Sequence, residues 1–307
     1  MKKTYSLILT LALFLAASVV YAQGYTFRVL ANKGQNQVKQ AGSQRPVPLK
    51  TGATLNSDDE LIVGKDSYIG LMHKSGKTLE VREAGAQKVS DLEKKISTKN
   101  SSVASRYAQF IASKMNDENR SYASRMNATG AVSRATGSNA INVMLPNSVD
   151  FLGDNAIIEW VGPEEATDDT KYKVTIMNIF DEVIYEEEVA GNEIAIDFSQ
   201  ESMQNESGLY IFSVQQADDE EVKSGNIGIK RVSEDDMAEV VDNYNSLKAE
   251  VSDDSPLNKL IYASFFEENG LLLDAMTKYQ EAMELSPDVD DFQELYNGFL
   301  IKNNLAK

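Results

Sequence analysis

Residues 227–244, IGIKRVSEDDMAEVVDNY, decide the fold, because the period of the apolar residues changes inside this stretch. Ile227 and Ile229 alternate with Gly228 and Lys230, the period of two that marks a half-buried strand. From Met237 onward, Val240, Val241, Tyr244, Leu247 and Val251 recur at helical steps, and Ser233 with Asp236 forms a capping-box-like start. Working back, apolar runs at 141–145, 156–160, 172–177, 183–188, 193–196, 209–215 and 227–231 predict strands separated by Asp- and Gly-rich turns. Working forward, three more helices are predicted. The last covers 290–303, with Phe292, Leu295, Tyr296, Phe299 and Leu300 on its apolar face.

Upstream, residues 25–89 read as short β runs at 25–30, 60–63, 68–73 and 78–81, with Lys74-Ser75-Gly76-Lys77 as a hairpin turn. Between the two β regions, Val103, Tyr107, Phe110, Ile111 and Met115 fall on one helical face, and this helix is expected to pack on the first β unit. After it, Asn, Ser, Ala, Thr and Gly dominate to residue 139, a linker composition. The expected organisation is therefore 1–22 leader, 23–98 β domain, 99–140 helix and linker, 141–232 β-sandwich and 233–307 helical domain. It amounts to two all-β modules followed by an all-α unit.

Each module has a resemblance. Gly52-Ala53-Thr54-Leu55, Asp58-Asp59-Glu60-Leu61, Ser67-Tyr68-Ile69-Gly70-Leu71 and residues 74–81 together resemble the FecR-type domain, with Ser75-Gly76 replacing its usual Asp-Gly turn. The family's regulators carry a membrane helix and a sigma-factor-binding segment that this sequence lacks, so the resemblance implies the β unit and not the signalling role. Seven strands in about ninety residues resemble an immunoglobulin-like or fibronectin-III-like sandwich, and the missing Cys pair favours the second. Residues 256–287 resemble a tetratricopeptide repeat: Ala263, Phe266, Gly270, Leu272, Ala275, Tyr279, Ala282 and Pro287 occupy that repeat's small, aromatic, turn and terminal-proline positions. Lys259 and Tyr262 depart from it, standing where Trp and Leu are usual. One repeat cannot bury its own faces, so the helical unit is expected to dock on the sandwich, on a second copy or on a partner.

At the N-terminus, Lys2 and Lys3 precede an uncharged run of about fifteen residues, too short to span a membrane at roughly 20. Val20 and Ala22 supply the small residues of a cleavage site, predicting a signal peptide cut between Ala22 and Gln23 and an exported, soluble bacterial protein, periplasmic or secreted. No later stretch reaches transmembrane length. The 307 residues carry 30 Lys and Arg against 47 Asp and Glu, a net charge of −17, which argues against nucleic acid as a partner. That total hides a division: residues 23–140 hold 18 basic against 10 acidic residues, and residues 141–307 hold 10 against 37. A basic front can fold back on the acidic rear, pair head to tail with a second copy, or meet an anionic envelope polymer.

The absence of Cys and the single histidine, His73, leave no thiol chemistry, no Cys or multi-His metal site and no conventional triad. Carboxylate pairs such as Asp58-Asp59, Asp253-Asp254 and Asp290-Asp291 fall at turns and helix starts, where solvation and the helix dipole account for them. A calcium loop is not spelled out, since Asp288-Val289-Asp290-Asp291 lacks the glycine. Trp160 is expected in the sandwich core, with sugar stacking as its other use. The expectation is an exported, non-enzymatic scaffold of the bacterial envelope without a cofactor. It would bind another exported or envelope protein, or itself as a homo-oligomer. The alternatives are a carbohydrate- or envelope-polymer-binding protein and an accessory component of an envelope signalling system.

Overall fold

The computed structural model describes residues 24–96, 102–114, 141–203, 208–233 and 235–305. The predicted leader with its Ala22/Gln23 junction, the predicted linker and Met115 lie outside the described residues.

The N-terminal part contains two four-stranded antiparallel sheets. One has the order β4 (Thr54–Leu55), β1 (Phe27–Lys33), β6 (Tyr68–His73), β7 (Thr78–Val81). The other is β3 (Val47–Pro48), β2 (Gln37–Lys39), β5 (Glu60–Val63), β8 (Gly85–Lys88), and a short helix α1 (Val89–Lys94) follows it. Phe27, Val29, Leu61, Ile69 and Leu71 fill the space between them. All six residues of β6 are buried. Its other face, Tyr68 and Met72, belongs with Leu30 and Ala31 to a second and larger core that runs into the rest of the molecule. The near-continuous apolar run 68–72 fits a strand covered on both faces.

The central part packs a sheet of order β10 (Ser148–Phe151), β17 (Ile227–Arg231), β15 (Leu209–Gln216), β12 (Lys171–Met177), β13 (Val183–Ala190) against β14 (Glu193–Asp197), β11 (Asn155–Val161), β9 (Asn142–Val143), with β16 (Asp219–Lys223) paired to β15. Among the described residues nine strands form where seven are predicted. Sequence reading misses β10, a four-residue strand in parallel register with β17, and β16, whose three acidic residues hide its single buried apolar residue, Val222. Trp160, Tyr172, Val174, Ile176, Phe212 and Ile229 meet in the interior.

The C-terminal helices are α3 (Ala238–Glu250), α4 (Pro256–Glu268), α5 (Leu272–Leu285) and α6 (Asp290–Lys302). Ser233 Oγ accepts from the Asp236 N–H at 3.2 Å, as the capping reading expects, although regular helix begins only at Ala238. Ser255 caps α4 through the Asn258 N–H, with Pro256 in the first turn. Gly270 supplies the left-handed turn to α5 at φ 75°.

The helix α2 (Ser102–Lys114) corrects one expectation. It packs chiefly on α4 and α3, touching β1 only lightly. Its buried face is Ala104, Tyr107, Ala108, Ile111 and Ala112, with Val103 and Phe110 only half-buried. Three alanines let the helix approach closely, which brings Tyr107 edge-on to Phe265 at 5.2 Å between centroids.

Candidate interaction surfaces

The repeat-like residues come together as packing. Ala263, Phe266, Ala275, Tyr279 and Ala282 are buried, Leu272 opens α5 half-buried, and Pro287 lies exposed between α5 and α6. The neighbours that this helix pair needs come from the same chain: α2 on α4, strands β10 and β11 on α5, and α6 beyond. Of the three docking possibilities, the chain uses its own sandwich, and it adds the N-terminal sheets.

Three buried polar clusters fix these contacts. On α5, Asp274 accepts the N–H groups of Leu152 and Gly153 at 3.0 and 2.8 Å, and Thr277 Oγ1 accepts that of Ile157 at 3.0 Å. Burial pushes the Asp274 carboxyl up to about 7, outweighing those backbone donors and Lys278. At the start of α6, Asp291 accepts the Asn32 N–H at 2.8 Å and the Thr51 hydroxyl at 3.0 Å, while Lys33 pairs with Asp288 at 2.7 Å. Asp288 and Asp291 thus tie the front β unit to the start of α6. Between α2, α4, α5 and α6, Glu267 meets Lys114, Lys302 at 2.8 Å and the Tyr279 hydroxyl at 3.1 Å. Burial raises the Glu267 carboxyl, but the two lysines more than offset this and hold it below the usual range. With Arg106 on Glu268 at 2.8 Å, the basic front half folds onto the acidic rear.

The remaining chemical candidates have structural places. His73 Nδ1 accepts the Ser75 N–H at 3.2 Å and lies 2.7 Å from its Oγ, so the ring proton belongs on Nε2, 3.4 Å from Glu93 on α1. This Ser-His-Glu set ties the hairpin turn to α1, and the ring packs edge-on to Phe27. Trp160 is fully buried against Tyr172 and presents no face on which a sugar could stack. Asp59 accepts the N–H groups of Ala41 and Asn56, a turn role. A cavity of about 140 Å³ lies where the β6–β7 hairpin, α2 and the α3–α4 turn meet, well short of the roughly 300 Å³ at which ligand sites begin. Among the described residues, no three His, Cys, Asp or Glu side chains are placed to hold a metal ion, and no helix is long and apolar enough to cross a membrane.

Sequence reading misses the exposed apolar positions. Among the described residues the large hydrophobics that stand exposed are Val47, Ile179, Phe180, Val183, Leu209 and Leu285, and Phe180 is 75% exposed. Ile179 and Phe180 lie in the β12–β13 turn and Val183 opens β13. The β12–β15 register ends at Met177 opposite Ile211, which brings Leu209 level with Ile179. Four of the six therefore share one end of the larger central sheet. The signal in the sequence is an apolar pair, Ile179-Phe180, inside an Asn-to-Asp turn. Compared with known proteins, the chain matches no protein-family model and no curated protein.

Proposed function

We propose that the chain is an exported, non-enzymatic binding or scaffold protein of the bacterial envelope. The observation that carries this reading is the apolar end of the central sheet, four exposed side chains on an otherwise well-buried frame. A FecR-like unit, a fibronectin-III-like sandwich and a tetratricopeptide-like pair joined into one frame present such a surface in a fixed orientation. The strand orders β14-β11-β9 and β10-β17-β15-β12-β13 support the sandwich assignment. So does Tyr210, near the start of β15, whose hydroxyl donates to the Met203 carbonyl at 2.8 Å in the manner of a tyrosine corner. Buried Ala263, Ala275 and Ala282, with Gly270 in the turn, support the repeat assignment.

The test is photo-crosslinking in the native cells from position 180, with position 285 as an exposed apolar control, together with N-terminal sequencing of the mature protein. A mature terminus at Gln23 and defined adducts specific to position 180 are expected. Adducts equal to the control, or a purified protein that turns over a glycan or peptide, would overturn the reading.

A further inference from the structure

The apolar end of the central sheet has an acidic collar. Asp181 and Glu182 sit in the same turn, and Glu186, Glu187 and Glu188 follow along β13, the edge strand of its sheet. Glu186 and Glu188 are partly neutralised by Lys173 and Lys171, Glu182 accepts from Asn178, and Glu187 is held by Tyr185. Asp181 has no ion pair among the described residues. An acidic collar disfavours an anionic bilayer, which attracts Lys and Arg, and selects an apolar surface with a basic rim.

The chain carries such a surface on its front unit. Val47, 47% exposed, lies on edge strand β3 of the front unit, between Pro46 and Pro48. Around it stand Arg45 and Lys50, both exposed, and Lys39 on the neighbouring strand β2. None of these three cations forms an ion pair with a described residue. The prolines remove ladder donors from β3, so this edge offers side chains and not a strand to extend.

From these complementary ends we infer that the protein docks head to tail on a second copy of itself, the Ile179–Phe180–Val183–Leu209 end of one copy covering the Val47 edge of the next. Val47, Phe180 and Val183 stand exposed in the single chain, and the intrachain pairs at Lys33, Arg106 and Lys114 do not draw on the cations around Val47. The two surfaces differ, so the contact is heterologous and propagates into rings or short filaments instead of stopping at a two-fold dimer. A patch of four side chains falls short of the roughly 800 Å² per partner of a standard interface, which places the affinity in the micromolar-to-millimolar range. The inference deepens the scaffold reading, on which it rests, by naming the partner as the chain itself.

Sedimentation velocity of the purified chain over that concentration range tests it. Reversible, concentration-dependent association is expected, weakening several-fold between about 0.05 and 0.5 M salt as the collars are screened. Phe180→Asp, and separately Arg45→Glu with Lys50→Glu, should each weaken association about tenfold or more. Mixing these two variants is decisive. One keeps a working front edge and the other a working sheet end, so together they form a dimer that cannot grow. A chain that stays monomeric, an unaltered Phe180→Asp variant, or a mixture with no dimer each overturns the inference. Far-UV circular dichroism of each variant excludes loss of fold as the cause. Monomers that still crosslink at position 180 in cells would overturn self-docking while sustaining the scaffold reading.

Discussion

Replacing Asp274 probes how the helical unit is held to the sandwich. The carboxylate is 3% exposed and accepts two backbone N–H groups from the β10–β11 turn. At pH 4.5, where the folded chain holds this carboxyl protonated, Asp274→Ala strands both donors, each costing about 1–3 kcal/mol, and should destabilise the chain by about 3 kcal/mol. Asp274→Asn keeps the shape and removes the titration. In the folded chain the carboxyl titrates near 7, about three units above its unfolded value, so between these pH values the folded state holds a proton that the unfolded state releases. Stability from this group is therefore highest near pH 4 and falls as pH rises to 7, by an order-of-magnitude bound of about 4 kcal/mol at 1.36 kcal/mol per unit. The assay is urea unfolding at pH 4.5, 5.5, 6.5 and 7.5, followed by fluorescence of the single Trp160 and by far-UV circular dichroism. The difference between wild type and Asp274→Asn cancels the other titrating groups. Wild type should lose stability relative to the variant as pH rises, and parallel curves, or an Asp274→Ala cost below about 1 kcal/mol at pH 4.5, would refute the reasoning.

Two further pairs of substitutions test the docking of α2. Glu267→Gln strips Lys114, only 18% exposed, of its counter-charge and should cost about 3 kcal/mol, whereas Lys114→Met leaves Glu267 paired with Lys302 and Tyr279 and should cost much less; equilibrium denaturation of the two variants measures the asymmetry. Gly76→Ala would place a Cβ 2.2 Å from Ser105 Cα at φ 84°, while Gly42→Ala at φ 77° meets nothing within 4 Å. Thermal melts should show Gly76→Ala destabilised by at least about 1 kcal/mol more than Gly42→Ala, the excess reporting the close approach of hairpin and helix.

The local period of the sequence reveals most of the elements, because a half-buried strand and an amphipathic helix each write their environment into consecutive residues. The change of period after Arg231 marks where sheet gives way to helix, and the alternation in Tyr172, Val174 and Ile176 places the sandwich core. Contacts between modules leave weaker marks, since the residues that make them are few and scattered along the chain. Asp274 and Asp291 look like ordinary acids of a first helical turn, yet their carboxylates accept backbone N–H groups of Leu152, Gly153 and Asn32, more than a hundred residues away. Apolar periodicity finds the face of α2, including the buried Tyr107 and Ile111, but not its partner: position in the chain points to the first β unit, whereas Ala104, Ala108 and Ala112 let the helix close on α4 and α3.

The charge division is the exception, a feature spread through the whole chain and legible from residue counts alone. Lys33, Arg106 and Lys114 close onto Asp288, Glu268 and Glu267, so part of the front charge serves to fold the front onto the rear. Had that been its whole use, the surplus cations would lie along the same seam. Arg45 and Lys50 instead flank an exposed valine on an edge strand that pairs only with β2, and Asp181 and Glu182 flank an exposed phenylalanine on the rear half. Charge left beside apolar surface on both halves of one chain is complementary between copies, as the proposed head-to-tail docking requires, and mixing the two single-ended variants separates docking from mere solubility.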